Sequence, residues 1–373
     1  MSTTQTTGLA YVARGVIPPS PPPASEVGAV RWLRENLFSG WFNSILTVAS
    51  LAIVAMLIPP IVSWAFIDSV WNAPSLAGCR EVNPHGACWA VINERFNQFM
   101  FGFYPPELYW RPILTFVLMF VALAPVLFNG LPRQMLWFSL AFPLVAYFLI
   151  WGGLGLEPVE SRKLGGFLLA VVIGVAGIVL SLPFGILLAL GRKSHLIFLK
   201  TISVVFIEFI RGVPLITLLF VANSVLAYFF PPGSNLDLIL RVVIMVTLFA
   251  SAYMAEVIRG GLAALPQGQY EAADALGLNY QKSMRLIILP QALKISIPGI
   301  VNTFIGLFKD TTLVVVIGLL DPIGLIGSIR ADSNWNGIIW EFYVFVGFFF
   351  FIACFGMSRY SQYLERKLKT DHR

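Results

Sequence analysis

The chain has 373 residues, of which 57% are hydrophobic and only 12% are charged, and its formal net charge at pH 7 is +6. An average soluble protein carries about twice that share of charged residues, so the composition excludes an ordinary soluble protein. The positive balance does not indicate nucleic-acid binding, because the basic residues cluster beside apolar stretches, as they do at the cytoplasmic ends of membrane spans. The sequence therefore predicts an all-α, polytopic membrane protein with about eight spans of about 20 residues each.

Residues 1–43 are predicted to precede the membrane-spanning part. Residues 1–30 are polar, and five of the six residues at 18–23 are proline, which predicts a disordered cytoplasmic tail. The stretch 31–42 mixes basic and aromatic residues, and it is either a helix lying at the membrane surface or an unstructured basic flank. No cleavable signal peptide is indicated, because the first apolar run begins only near Ser44 and is long enough to be a span.

Residues 44–160 are predicted to form an extension of three spans. Their apolar runs are Ser44–Ile67, Pro112–Phe128 and Gln134–Trp151. Because basic residues precede the first run, its N-terminal end is expected in the cytoplasm. The polar loop 68–111 is then expected to face the periplasm.

The loop contains two of the three cysteines, Cys79 and Cys88. If it faces the periplasm, both thiols share an oxidising compartment, and we expect a Cys79–Cys88 disulfide. Two free thiols are the alternative. A zinc site is not expected, because only His85 lies near and two sulfurs with one imidazole make an incomplete set of ligands.

Residues 161–373 are predicted to form a core of five spans. Their apolar runs are Leu164–Leu190, Phe198–Phe230, Leu238–Ile258, Pro290–Leu319 and Asn336–Met357. The second run is too long for one straight span, and a charge pair, a glycine and a proline within Glu208–Pro214 predict a bend there. The first run is uncharged and its glycines permit close helix approach; they are Gly165, Gly166, Gly174, Gly177 and Gly185. Basic residues after the last run and the even number of crossings place both termini in the cytoplasm.

A polar segment around residues 260–290 interrupts the core between its third and fourth spans. Glu271, Asp274, Lys282 and Arg285 are too costly to leave in hydrocarbon, so this segment is expected to lie outside the membrane, on the cytoplasmic side.

The same segment is predicted to contain a short helix. Pro266 suits a first helical turn, the alanines that follow are strong helix formers, and Gly277 is a natural stop. A helix with small residues on its surface can pack closely into a groove of another protein.

This helix resembles the EAA loop of ABC importer permeases. Glu271-Ala272-Ala273 is followed by three residues and Gly277, and Ile288-Leu289-Pro290 follows further on. In that family the loop is the coupling helix that docks on a cytoplasmic ATPase. The resemblance therefore implies an ATPase-coupling role for Glu271, Ala272, Ala273, Asp274, Gly277 and Pro290. An ordinary cytoplasmic connector is the alternative, since Glu-Ala-Ala alone is common in helices.

Four further stretches resemble motifs of the polar amino-acid branch of type I ABC importer permeases. Glu208–Leu215 resembles its E-x-x-R-G-x-P-L stretch, Tyr253–Gly261 its AEx(I/V)RGG stretch, Leu289–Ala292 its LPQA and Phe308–Leu313 its xKDTSL. Thr312 replaces the serine of the last motif and keeps the hydroxyl. The three-span extension also resembles that of the longer permease subunit of general L-amino-acid transporters.

The resemblance implies a non-enzymatic permease subunit of an ATP-driven amino-acid importer in the bacterial inner membrane, forming half of the translocation pathway. The implied partners are a cytoplasmic ATPase dimer that binds ATP and Mg, a second homologous permease, a periplasmic amino-acid-binding protein and membrane lipid, with no nucleic acid. The chain lacks the Gly-x4-Gly-Lys-Ser/Thr phosphate-binding pattern, and we expect no cofactor or metal in it. A stand-alone secondary transporter or channel for small polar solutes is the competing interpretation.

A substrate pathway is predicted at Lys309, Asp310, Thr311 and Thr312, which interrupt an apolar stretch. Charges in a span usually line a cavity or pair with each other, and an amino acid carries both an ammonium and a carboxylate. The alternative is a structural ion pair of Lys309 with Asp310 or with another helix. Arg211 is a further candidate, although it could also mark the cytoplasmic end of the bundle.

Overall fold

The computed structural model describes residues 28–128, 130–229 and 236–368, and within these ranges it is built from helices with no β-sheet. The predicted all-α fold class is confirmed. The chain divides into two compact units, Met1–Ser69 and Val70–Arg373. The predicted disordered tail lies, apart from its last residues, outside the described residues.

The described part of the first unit consists of two helices. Helix α1, Gly28–Asn36, carries an ion pair between Arg31 Nε and Glu35 Oε1 at 2.7 Å, so the stretch predicted as a surface helix or an unstructured flank is largely helical. Helix α2, Trp41–Val62, continues into a π-helical turn, Ser63–Ile67. Together these two elements form an apolar helix of 27 residues.

The second unit contains the other described helices. They are α3 (Leu76–Val82), α4 (Ala90–Phe101), α5 (Trp110–Leu127), α6 (Met135–Trp151), α7 (Gly166–Arg192), α8 (Ile197–Gly212), α9 (Leu215–Phe220), α10 (Leu238–Ala263), α11 (Gln267–Ala275), α12 (Tyr280–Ser283), α13 (Leu289–Asp310), α14 (Pro322–Arg330) and α15 (Trp340–Leu368).

Six described helical segments are long and apolar enough to cross a membrane: Trp41–Ile67, Pro106–Leu127, Gly166–Arg192, Leu238–Ala263, Tyr280–Ile317 and Trp340–Leu368. Helix α8 and the segment Leu215–Val225 are long and apolar enough only when taken together, and as one span they would be the seventh. They are bent by 103° at the break between them, which confirms the predicted bend. Helix α6 has 17 residues and is about 25 Å long at 1.5 Å per residue, less than the ~30 Å hydrocarbon core. The total of about eight spans therefore stays a prediction.

The helix that contains the fourth core span begins before the predicted start of the span. The prediction began it at Pro290, but the helix runs from Tyr280 through a π-helical turn, Met284–Ile288, into α13. Proline cannot donate the hydrogen bond that a regular helix uses at this position, and the wider π-helical turn before Pro290 accommodates it.

Helices α7, α10 and α13 form the centre of the second unit, and glycine sets their spacing. A Cβ atom added to Gly185 of α7 would lie 2.6 Å from Met254 Cβ of α10. One added to Gly261 of α10 would overlap the Ser296 hydroxyl and lie 2.5 Å from the Ala292 carbonyl oxygen of α13. Lipid is as apolar as the side chains, so membrane helices associate largely through close packing of this kind.

Residues 70–102, here called the disulfide segment, pack against one end of this bundle. The structure joins Cys79 of α3 to Cys88 in a disulfide, with a Cα–Cα distance of 5.8 Å. The backbone N–H of Cys88 donates to Glu341 Oε1 of α15 at 3.1 Å, and Arg95 Nη2 lies 2.5 Å from Asp332 Oδ2. The disulfide segment is thereby attached to the loop that follows α14 and to the first turn of α15.

The start of α7 lies at the same end of the bundle, where Gly166 N donates to Leu320 O at 2.8 Å. The neighbouring Asp321 is fully buried and caps α14 by accepting from the backbone N–H groups of Ile323 and Gly324. Burial raises the pKa of the Asp321 carboxyl to about 6, and backbone N–H donors offset only part of this shift.

Replacing Gly261 by alanine should destabilise the protein, because the added methyl group would press on the backbone of α13. Overpacking of this kind costs about 1–3 kcal/mol, and we expect a lower thermal unfolding midpoint of the purified protein. The matched control is the neighbouring Gly260→Ala, where an added Cβ would meet nothing within 4 Å. The control should be neutral or slightly stabilising, because alanine favours a helix over glycine by about 0.5–1 kcal/mol. Equal midpoints for the two variants would contradict this account of the packing.

Asp321 should make stability depend on pH in a defined direction. Its folded-state pKa is raised from 3.8 to about 6, so its favourable contribution is complete below pH 3.8 and is lost as the pH rises through 6. We expect Asp321→Asn to flatten the pH dependence of the unfolding midpoint between pH 4 and 7. Asp237→Asn, at the exposed N-cap of α10, is the control for losing a cap carboxylate. The raised pKa of Asp321 is refuted if the unfolding midpoint of the wild type falls no more between pH 4 and 7 than that of Asp321→Asn.

Candidate functional site

Helix α11 is defined by signals at both of its ends. Pro266 precedes it with an extended backbone, at φ −58° and ψ 141°, instead of lying in its first turn as predicted. Gly277 follows it in the left-handed region, at φ +68°. Gly277 N donates to Asp274 O at 2.9 Å and Leu278 N to Ala273 O at 3.2 Å, the hydrogen-bond pattern of a Schellman C-cap. The prediction of a short helix that stops at Gly277 is confirmed.

One face of α11 is fixed to the bundle. Ala273 is fully buried, and Tyr270 donates from its hydroxyl to Leu262 O at the end of α10 at 3.2 Å. Gln291 Nε2 of α13 donates to Gln269 Oε1 at 3.0 Å. These contacts tie the helix to both α10 and α13.

The opposite face of α11 is free within the second unit. Glu271, Ala272 and Asp274 are exposed, and Leu276 is 74% exposed just beyond the helix. Pro290 is also exposed, at the start of α13. Of the six residues predicted to couple to an ATPase, Ala273 therefore belongs to the supporting face, and the other five are accessible.

A cluster of arginine and glutamate side chains joins the ends of α7, α8 and α10 next to α11. Its members are Arg192, Glu208, Arg211, Glu256 and Arg259, here called the arginine–glutamate cluster. Glu256 Oε1 lies 2.7 Å from Arg192 Nη1, and Glu256 Oε2 lies 2.8 Å from Arg259 Nη2. The same Arg192 atom lies 2.8 Å from Glu208 Oε1. Charge-assisted hydrogen bonds of this length are about twice as strong as neutral ones, so the three helix ends are held together.

Arg211 belongs to this cluster by a longer contact. Its Nη1 lies 3.8 Å from Glu256 Oε2, and its guanidinium lies 5.5 Å from the ring centre of Tyr253. The structure therefore places Arg211 at the end of the bundle that carries α11, which is one of the two positions that the sequence left open.

The neighbouring Lys193 connects the cluster to α11. Its ammonium lies 5.8 Å from the ring centre of Tyr270, a cation–π geometry. Burial, reinforced by the positive charge of Arg259, lowers the pKa of Lys193.

A cavity of about 290 Å³ lies between α10 and α13. Its lining combines aromatic, amide, hydroxyl and carboxyl groups; the residues are Phe249, Ala250, Tyr253, Asn302, Thr303, Gly306, Leu307 and Asp310. This mixture of an apolar wall with a few polar groups is typical of pockets for small polar ligands.

The predicted pathway residues separate around this cavity. Asp310 lines it, whereas Lys309 is exposed and does not, since adjacent residues of a helix point about 100° apart. The hydroxyls of Thr311 and Thr312 donate to their own helix, to Phe308 O at 2.7 Å and to Lys309 O at 2.8 Å. Among the described residues, no salt bridge within 4.0 Å involves Lys309 or Asp310.

Several residues at these sites had no assigned role in the sequence analysis. Glu208, Glu256 and Arg259 lie inside the motif stretches, and charges three residues apart in apolar helices were the signal that could have identified them. Gln269 and Tyr270 carry no comparable signal in the sequence. Among the described residues, no group of three or more His, Cys, Asp or Glu side chains could hold a metal ion.

Comparison with known proteins identifies relatives of this chain. The family model for "Binding-protein-dependent transport system inner membrane component" matches residues 181–370. The glutamate/glutamine/aspartate/asparagine transport system permease protein BztC of Rhodobacter capsulatus is 52% identical, over 97% of this chain and 99% of that protein. The inner membrane amino-acid ABC transporter permease protein YhdY of Escherichia coli K12 is 47% identical, over 95% of this chain and 96% of that protein. A crystal structure of an amino acid ABC transporter with histidines is 29% identical over 53% of this chain and 90% of that chain, with a TM-score of 0.48.

The chain belongs to the family of binding-protein-dependent transport system inner membrane components. It is a multi-pass, non-catalytic permease subunit of an ABC importer, and ATP is hydrolysed by a separate subunit. The resemblance predicted from the motifs is confirmed.

Proposed function

We propose that the chain is a membrane subunit of an amino-acid importer and that α11 docks on its ATPase. The single observation that carries the docking proposal is the division of α11 into two faces. Tyr270 and Ala273 tie one face to the bundle, while Glu271, Ala272 and Leu276 are left accessible on the other. A helix supported from behind can transmit a push from a partner into the bundle.

The cavity beside Asp310 is the proposed place of the transported amino acid. Asp310 supplies a negative charge for the substrate ammonium, while the side-chain amide of Asn302 supplies a hydrogen-bond donor for its carboxylate. The relatives named as transporters of glutamate, glutamine and other amino acids support this substrate class. The sequence's competing interpretation, a stand-alone transporter or channel, has no support among these relatives.

The remaining proposals concern the assembly. One five-span core, residues 161–373, supplies half of a pathway, so a second permease completes it, and an ATPase dimer that binds ATP and Mg drives it. An amino-acid-binding protein delivers substrate at the periplasmic face, and lipid surrounds the apolar spans. The three-helix extension, residues 44–160, carries the disulfide segment on the periplasmic side, and both termini and α11 lie in the cytoplasm.

Replacing Ala272 by tryptophan should block ATPase docking, because a bulky ring on an exposed position would hold the partner away without disturbing the chain's own packing. We expect the purified complex to lose its ATPase subunit and amino-acid uptake to stop. The measurement is co-purification of the subunits, together with uptake into proteoliposomes.

Ala331→Trp is the matched control, since Ala331 is also exposed but follows α14 at the opposite end of the bundle. It should retain the ATPase subunit. If Ala272→Trp also keeps a full complement of ATPase, α11 is not the docking element.

Replacing Asp310 by asparagine should slow uptake at saturating binding protein at least about tenfold, because a charge-assisted hydrogen bond of about 1.5–3 kcal/mol is lost. Lys309→Gln, which alters the neighbour that does not line the cavity, should retain most of the uptake. Both rates are compared at equal amounts of assembled transporter. If Asp310→Asn prevents assembly instead, or if Lys309→Gln is the more damaging change, the proposed substrate site is wrong.

A further inference from the structure

A continuous set of contacts leads from α11 to the cavity. It begins at Tyr270, whose ring lies against the Lys193 ammonium at 5.8 Å, and the residue that precedes Lys193 in the chain is Arg192. Arg192 Nη1 lies 2.7 Å from Glu256 Oε1. Each step in this half of the path is therefore a direct side-chain contact or a bond of the chain.

The second half of the path runs from Glu256 to the cavity wall. Glu256 Oε2 lies 3.8 Å from Arg211 Nη1, and the Arg211 guanidinium lies over the Tyr253 ring. Tyr253 is one of the residues that line the cavity. The carboxylate of Glu256 therefore joins Arg211, which contacts Tyr253 at the cavity, to Arg192, which is next to Lys193 behind α11.

Glu256 is the only carboxylate among the described residues that holds three arginines in ion pairs, and they come from three different elements. Arg192 ends α7, Arg211 lies near the end of α8, and Arg259 is on the same helix as Glu256. Without its charge, these three cations and Lys193 would be left close together with Glu208 as the remaining acidic member of the cluster. Like charges in a partly buried setting repel strongly, so the helix ends would separate.

The contacts of Glu256 with its three arginines differ in length, and the longest of them, to Arg211, can change most easily. Arg192 and Arg259 bond to Glu256 at 2.7–2.8 Å, whereas the Arg211 contact is 3.8 Å long. Arg211 is the second-to-last residue of α8, next to the break between α8 and α9, where the chain bends by 103°. A shift of the last turn of α8 can thus tighten or open the Arg211 contact while the Glu208–Arg192 and Arg192–Glu256 contacts keep the three helices joined.

We propose that Glu256 is a positioning residue that transmits displacement of α11 to the cavity wall at Tyr253, with Arg211 as the contact that changes. The inference rests on the proposed function of α11 as the ATPase-docking helix. Glu256 touches neither ATP nor the transported amino acid; it keeps the docking helix and the cavity mechanically connected. Loss of this connection uncouples ATP hydrolysis from transport.

The first test replaces Glu256 by glutamine in the complete transporter, with ATPase, second permease and binding protein, reconstituted in proteoliposomes. The measured quantity is the number of ATP molecules hydrolysed per amino acid imported. We expect this ratio to rise at least about fivefold, the lower end of typical coupling between sites. Glu256→Asp, which keeps the charge, should recover part of the coupling, whereas a role in packing alone would leave the ratio near the wild-type value.

Glu160→Gln is the matched control, because it removes one partner of an ion pair of similar length, Arg162 Nη2 to Glu160 Oε2 at 2.9 Å, that is exposed and far from the cluster in the chain. Its ratio should equal that of the wild type. An unchanged ratio in Glu256→Gln overturns the proposal.

A second variant keeps the test decisive if Glu256→Gln does not assemble. Arg211→Gln removes only the long contact and the cation over Tyr253, and leaves Arg192 and Arg259 bonded to Glu256. It should also raise the ratio, and combining it with Glu256→Gln should add little, because both changes break one path. A normal ratio in Arg211→Gln, or fully additive effects, overturns the proposal whatever happens to Glu256→Gln.

Cross-linking separates this proposal from the one on which it rests. A cysteine placed at Ala272 should capture the ATPase subunit equally in the wild type and in Glu256→Gln. If no capture occurs in either, the docking role of α11 is wrong. If capture occurs in both and the ATP ratio is normal, the docking role stands and the role of Glu256 is wrong.

Discussion

Unpaired charges and unsatisfied backbone groups are costly in hydrocarbon, and this constraint arranges much of the second unit of the protein. Ion pairs collect at the two ends of α7, which is about 40 Å long at 1.5 Å per residue. The arginine–glutamate cluster occupies one end, and the contacts of the disulfide segment with Asp332 and Glu341 occupy the other. Asp310 lies on α13 between these ends, and it faces a cavity. A carboxylate that faces a cavity has access to a polar ligand or water, which is why it can be tolerated there.

The same constraint explains why small residues matter so much in this fold. Apolar side chains gain little by leaving lipid for a protein interior of similar polarity, so helices stay together through close backbone contact and polar bonds. Gly185 and Gly261 bring α10 against α7 and α13. Glu256 then adds polar bonds at the end where these helices meet α8. Removing the partners of a partly buried carboxylate is strongly destabilising, because its charge is then uncompensated. Glu256 therefore favours the one arrangement of the helix ends in which its arginine partners are in place.

Features that depend on local sequence were predictable, and features that depend on distant contacts were not. Apolar length predicted the spans of α7, α10 and α15, and turn chemistry predicted where α11 stops, because Gly277 supplies the left-handed C-cap. The start of the helix that contains the fourth core span was not predicted, since the π-helical turn that accommodates Pro290 has no clear pattern in the sequence. The pairing of Arg192 with Glu256, 64 residues apart, requires knowledge of how α7 and α10 pack. Which of Lys309 and Asp310 meets the cavity depends on the rotation of α13 about its own axis, and adjacent positions give no information on that angle.

Two of the connections between α11 and the cavity walls differ in stiffness. Along the chain, α11 leads through α12 and the π-helical turn Met284–Ile288 into α13, which forms one wall. A π-helical turn has a wider, less regular hydrogen-bond ladder than an α-helix, so this route can absorb a displacement by local rearrangement. The route through Tyr270, Lys193 and Glu256 instead consists of a packed ring and short ion pairs, and it ends on the opposite wall, at α10. When α11 moves, α10 therefore follows and α13 does not. This changes the distance between the two walls of the cavity, which are formed by α10 and α13. Opening and closing of the cavity can therefore follow from one displacement at α11, without any separate gate.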